Sequence, residues 1–207
     1  FGLSGRAGDT GSEPVLVMRI DDRHLIGLRI DRVRQIIHVG AGAIKSLPAA
    51  LAARLHLPFR DADNEIETAA GRTIEEIFEQ FGEAEFRAGE RRVIGRLLQE
   101  NPPHILATGG GAYMDDHTRG LIRTHGISVW LRAEVDVLLA RTSRRNNRPL
   151  LKQGNPREIL GRLIALRYPV YAEADITVDS IEAPPEETVE RVLKALETWP
   201  GVTRTGG

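Results

Sequence analysis

The chain has no cysteine, which excludes a disulfide framework and a thiolate metal site. It has almost no net charge: 28 Lys and Arg stand against 29 Asp and Glu, for a formal −1. No basic field argues for nucleic acid and none for a membrane surface. No apolar run reaches bilayer length, and Phe1 to Gly5 carries neither a basic n-region nor an apolar h-region, so the expectation is a cytoplasmic protein. The first residue is Phe rather than Met, which reads as a fragment or a processed chain. At 207 residues there is enough chain for one large core, or for one domain with an appendage.

What is present is organised around His104 to Tyr113, HILATGGGAY. The run Ile105-Leu106-Ala107 ends in Thr108 and three glycines, Gly109, Gly110 and Gly111. It reads as a buried strand that stops where backbone must approach something closely. A tight turn is the commoner reason for such glycines. The other is a ligand at the carboxyl end of a sheet, where open α/β folds place their pockets.

Residues 1–14 read as a loop closing on Pro14, and 15–30 as a β-hairpin turning at Asp21-Asp22-Arg23-His24. Val33, Ile36, Ile37 and Val39 supply a further apolar strand or short helix. From Leu51 the period becomes helical, then Leu57-Pro58-Phe59 reads as a strand ending in Arg60-Asp61-Ala62-Asp63. A helix closed by Gly71 follows, then a capping box at Thr73-Ile74-Glu75-Glu76, and a helix from Gly82 to Glu100. Ile127 to Leu131 reads as a strand and Ala133 to Ser143 as a helix. Arg144 to Gly154 reads as a loop, and Asn155-Pro156 opens a long helix. Ile176-Thr177-Val178 is a last strand, and Pro184-Pro185 opens a last helix with Val189, Val192, Leu193, Leu196 and Trp199 on one stripe. Strands alternating with helices imply α/β architecture, a parallel sheet covered on both faces.

Two groups of residues carry chemistry. Asp61 and Asp63, at a strand-to-helix turn, could converge on Mg²⁺ and a substrate hydroxyl, since hard carboxylate oxygens suit that ion. One of them could equally cap the helix. Arg141, Arg144, Arg145 and Arg148 cluster at the polar loop and offer planar forks for phosphate, or a solvated face. Arg87 follows Phe86 and Arg167 precedes Tyr168; each fits a carboxylate clamp or snorkelling at a core edge.

FRDADNEIE, GRTIEEIFEQFGEAEFRAGE, ILATGGGAY, the NNRPLL loop and RYPVY, in this order and spacing, resemble shikimate kinases from about residue 52 to 199. The resemblance implies a nucleoside-monophosphate-kinase-like (P-loop kinase) fold with a lid at about 144–154 and a tail at 200–207. It further implies transfer of the ATP γ-phosphoryl to the 3-hydroxyl of shikimate, in aromatic amino-acid biosynthesis. Asp63 would hold the accepting hydroxyl, Asp61 would orient Mg²⁺ through water, and Arg87 and Arg167 would clamp the shikimate carboxylate. Gly109, Gly110 and Gly111 would line the same pocket, Arg148 would meet the transferring phosphoryl, and Arg141 would lie along the adenine. Phosphoryl transfer needs positioning and charge neutralisation, which these residues supply. No nucleic-acid or membrane partner is expected. The family implies a monomer, with an edge-strand dimer as the alternative.

One family part is missing in register. The phosphate loop G-x-x-x-x-G-K-[ST] finds only Lys45-Ser46, with Val39 and Ile44 at its two glycine positions. A β-branched Ile beside the lysine hinders the close backbone approach that cradles phosphate. Residues 1–50, and above all DRHLIGLRIDRVRQIIHVGAGAIKSLP, resemble part of a chemotaxis coupling (CheW-like) domain. The expectation is a 1–50 segment, from a fusion or chimera, joined to a 51–199 kinase-like domain whose first strand is replaced by Ile36 to Val39 or by part of the hairpin. Impaired activity follows from that expectation. The alternatives are an inactive shikimate-binding module and a non-functional fusion. A generic adenylate-type kinase fits the two Asp and two Arg less well.

Overall fold

The computed structural model describes Val15–Met18, Ile36–Val39 and residues 46–100, 103–143, 155–181 and 183–200. Six strands make one sheet: β1 (Val15–Met18), β2 (Ile36–Val39), β3 (Phe59–Asp61), β4 (Ile105–Thr108), β5 (Ile127–Arg132) and β6 (Ile176–Asp179). The parallel strands run β3-β4-β2-β5-β6, with Asp61 opposite Ala107 and Val129 opposite Ile176. Every residue of β4, and all of β5 except Arg132, is buried. Successive side chains point to opposite faces, so burial of all of them means cover on both. β6 alternates buried and exposed, as an edge strand does.

The gap between β4 and β5 is addressed twice. β2 pairs parallel to both, with His38 opposite Ala107 and Ile37 opposite Ser128. β1 pairs antiparallel to both, with Leu16 opposite Ala107 and Val17 opposite Ser128. Both stretches named as stand-ins for the first strand therefore reach the same backbone groups. An edge residue carries one N–H and one C=O, so the two strands compete for a single slot.

Eight helices complete the described chain: α1 (Ser46–Arg54), α2 (Ala62–Ala70), α3 (Ile74–Leu97), α4 (Gly110–Met114), α5 (Asp116–His125), α6 (Val135–Ser143), α7 (Pro156–Tyr171) and α8 (Pro185–Thr198). Their ends follow local chemistry. Asp61 caps α2, which stops at Gly71 in the left-handed region (φ 61). Thr73 and Glu76 close the expected capping box on α3. Gly82 stands at φ 79 and ψ 177 inside α3, so α3 is two helical halves that meet at a kink there. It then finishes at Leu97, three residues before Glu100. Asp115 caps α5 by accepting from the Thr118 N–H at 2.9 Å. α4 and α5 have no counterpart in the sequence reading.

Leu47 and Leu51 of α1, Ile94 and Leu97 of α3, Tyr113 of α4, Ile122 of α5, Tyr171 of α7 and Val189, Val192 and Leu196 of α8 meet the strands in one core. A smaller cluster, Ile66, Ile77 and Phe86, holds α2 to α3. Asp175 ties the start of β6 to β5, accepting from Ser128 N and Oγ at 2.7 Å each. No helix among the described residues is long and apolar enough to cross a membrane.

β2 leads into α1 through residues 40–45 only, and α1 packs on β4, which favours β2 as the occupant of the slot. Ile37→Pro, which removes a ladder donor from a strand paired on both sides, is expected to cost at least about 2 kcal/mol. Val17→Pro is expected to cost less than about 1 kcal/mol. Urea denaturation of the two variants reads the difference, and the reverse order would assign the slot to β1.

Candidate active site

The carboxyl ends of β3 and β4 lie side by side, because Asp61 is in register with Ala107. That register brings the two-aspartate turn to the glycine run. Asp61 is buried, and its Oδ1 accepts from Asp63 N at 3.0 Å and Asn64 N at 3.4 Å, so it is the helix cap that the sequence offered as one alternative. Capping uses one carboxylate oxygen and fixes the turn. Asp63, one residue into α2, then faces Gly109: a Cβ on that glycine would lie 3.9 Å from Asp63 Oδ1.

The glycines are needed for space. Neither Gly109 nor Gly111 has a positive φ. A Cβ at Gly111 would fall 2.6 Å from Arg87 Nη2 and 2.8 Å from its Cζ, distances real side chains do not reach. The Arg87 guanidinium therefore rests on bare backbone where β4 turns into α4. Gly110 lies between the two, and its carbonyl accepts from the Tyr171 hydroxyl at 3.1 Å, which joins α7 to the glycine run. Arg167 stands one helical turn before Tyr171, and the i, i+4 spacing puts it on the same face of α7. Thr108, the last residue of β4, has a buried hydroxyl with no partner among the described residues. A buried polar atom of that kind at a sheet's carboxyl end is the condition a ligand or water would relieve.

Arg87 is held from three sides. Its Nη1 donates to Glu90 Oε2 at 2.7 Å, its Nη2 pairs with Glu83 Oε1 at 3.5 Å, and its Cζ sits 5.1 Å from the centroid of the Phe86 ring. Phe86 in turn packs on Phe78, ring centroids 4.5 Å apart. Burial alone would push the guanidinium pKa down, but Glu90 and Glu83 carry it above its usual value. Glu90 shifts the opposite way: burial, only partly offset by Arg87, pushes its carboxyl above the usual range. Burial of the carboxyl dominates the pair, since Glu90 is only 3 % exposed while the Arg87 side chain is 31 % exposed.

Asp61, Asp63, Arg87, Gly110, Gly111 and Arg167 thus lie on five elements, β3, α2, α3, α4 and α7, that meet at one end of the sheet, with Gly109 in the turn before α4. The residues expected on the nucleotide side differ. Lys45 and Arg148 lie outside the described residues, as does the expected lid at 144–154. Ser46 opens α1 and Arg141 lies in α6, both placed by backbone alone. Glu90 was missed from sequence because an acid three residues after an arginine reads as a solvated helix pair. Its place on the stripe Phe86-Glu90-Ile94 was the available signal.

The family model described as Shikimate kinase matches residues 41–197. The chain belongs to the shikimate kinase family. It is 55% identical over 174 residues to the shikimate kinase of Paramagnetospirillum magneticum, covering 83% of this chain and 89% of that one. To that of Rhodopseudomonas palustris it is 47% identical over 193 residues, covering 93% and 90%. Among solved structures it resembles shikimate kinase from Acinetobacter baumannii in complex with shikimate, at 37% identity and a TM-score of 0.65, with 72% and 83% covered. Shikimate kinase from Aquifex aeolicus gives 35% and 0.64, with 74% and 89% covered. The α/β sheet is accordingly that of a P-loop kinase, and the family consists of ATP-dependent phosphotransferases.

In this shikimate kinase-family chain, Gly111→Ala is expected to push Arg87 off its seat and to raise the shikimate KM at least about tenfold, as loss of a charge-assisted contact does. An unchanged KM would show that the guanidinium moves at no cost. A carboxyl whose pKa is higher folded than unfolded adds stability at low pH, and that stability is lost as pH rises through the raised value. Glu90→Gln has no charge to bury, so its Tm is expected to gain on that of the parent as pH rises above about 4. A difference that stays flat across that range would contradict the burial cost.

Proposed function

We propose that the chain transfers the γ-phosphoryl of ATP to the 3-hydroxyl of shikimate. The observation that carries this reading is the Arg87 guanidinium seated on Gly111 with the Asp63 carboxylate at Gly109, a fixed cation and a fixed carboxylate on one glycine run. A small alcohol that also bears a carboxylate suits that pair. Its carboxylate meets Arg87 and Arg167, its ring lies over the glycines, and its hydroxyl donates to Asp63. In the direction of transfer, Asp63 takes the hydroxyl proton as the oxygen attacks phosphorus and the bond to the ADP oxygen breaks. The relative from A. baumannii, whose structure is a shikimate complex, supports the substrate.

Mg²⁺ suits the donor set, because Asp61 brings hard carboxylate oxygen to this end of the sheet, and an ion that keeps its waters needs few protein ligands. When bound it neutralises charge on the phosphates. On the donor side Arg148 would meet the transferring phosphoryl, Arg141 would lie along the adenine, and Lys45 and Ser46 would serve the phosphates. We place the enzyme in the cytoplasm as a monomer.

Activity is proposed to be low, because Ile44 stands where the phosphate loop has a glycine. The second reading, a shikimate-binding module joined to a CheW-like hairpin, draws on the same departure. A coupled ADP-release assay with shikimate and ATP separates them. Turnover that Asp63→Asn reduces by at least about a hundredfold is expected of the enzyme, the usual worth of a positioned base. Turnover no higher than that of Asp63→Asn would leave the binding module.

A further inference from the structure

Outside the Asp63–Arg87–Arg167 site, α2 and α3 enclose a cavity of about 370 Å³, within the size range of small-ligand pockets. It lies on the opposite side of α3 from Arg87 and Glu90. Gly89, Arg92 and Val93 line it, whereas 87, 90 and 94 point elsewhere around the helix. Its floor is apolar and buried: Ile66, Ile77 and Phe86 are each less than 9 % exposed. Phe81, the residue before the kink at Gly82, also lines the cavity and is 52% exposed at its mouth.

The mouth is polar and carries a positive excess. The Arg72 guanidinium lies 5.7 Å from the centroid of the Phe81 ring. Arg92 folds back across Gly89, where a Cβ would stand 3.9 Å from its Nη2, and it makes no ion pair among the described residues. Among the described residues, Glu85 is the only acid lining the cavity. A guanidinium laid along an apolar cavity without a carboxylate partner is half of a recognition pair. Shikimate itself suits this cavity badly, since three ring hydroxyls over Ile66, Ile77 and Phe86 would lose their hydrogen bonds.

We propose that this cavity is a second ligand site, taking a small aromatic monocarboxylate whose ring lies on Phe86 and Ile77 and whose carboxylate meets Arg92 and Arg72. The size of the cavity, its flat aromatic walls and its two arginines at one mouth select that class over a neutral aromatic or a polyol.

Phenylacetate titrated into the full chain, followed by amide NMR shifts, tests it. Saturable shifts are expected at Ile77 and Gly89. Affinity is expected to fall about tenfold in Arg92→Gln, the worth of one charge-assisted hydrogen bond. Binding should persist in Arg87→Gln, which separates this site from the shikimate clamp and keeps the test independent of the substrate assignment. Ala70→Trp, which fills the cavity from its rim, should abolish binding while the far-ultraviolet spectrum and Tm stay those of a folded chain. No saturable shift, equal affinity in Arg92→Gln, or loss of binding in Arg87→Gln would each overturn the proposal.

Discussion

β4 and β5 each have one edge already paired, to β3 and to β6, and one edge facing the other across the width of a single strand. That gap is the constraint on which the molecule depends. An unfilled gap would leave two rows of backbone donors and acceptors without partners in the middle of a buried sheet, and would cut the core in two. β1 and β2 both supply partners for it, one antiparallel and one parallel. Filling it with β2 preserves the direction of every crossover and delivers the chain, through residues 40–45, to the start of α1. The same choice decides what lies beside the carboxyl end of β4.

The acceptor end does not depend on that choice. Asp61 and Asp63 sit on β3 and α2, Gly109 in the turn between β4 and α4, and Gly111 on α4, and Arg87 comes from the long helix beside them. The close approach of Arg87 to Gly111 needs no unusual backbone, only the absence of a side chain. Glu90 aims the guanidinium from below, and Phe86 and Phe78 stack behind it. Charge is thus fixed before a substrate arrives, the arrangement electrostatic stabilisation requires.

Much of this was legible in the residues. The Thr73 box, the Gly71 stop, the Asn155-Pro156 start and the Val189-Val192-Leu196 stripe all sit at ends or faces where one residue type has a single physical job. α4 and α5 were not legible. Glycine is a poor helix former, and α4 is a single turn built on two of them. α5 is polar on average and has Gly120 in its middle, which hid an amphipathic pattern that buries Thr118 and Ile122 one turn apart; Asp115 as a cap was the further cue to it. Gly82 was legible: it reads as a boundary between helices, and its φ of 79 with ψ of 177 kinks α3 into two helical halves there. Asp61 was ambiguous because capping and metal positioning both ask for a carboxylate at the same turn. Glu90 was hidden because burial, not spacing, gives it its role.

The central claim is that the acceptor half of a shikimate kinase is complete in this chain, whatever the phosphate loop can do. Calorimetric titration of shikimate in the absence of nucleotide tests it most directly. Saturable binding to the parent chain, weakened at least about tenfold in Arg87→Gln, is the predicted result. Binding of equal strength in both proteins, or none in either, would contradict it.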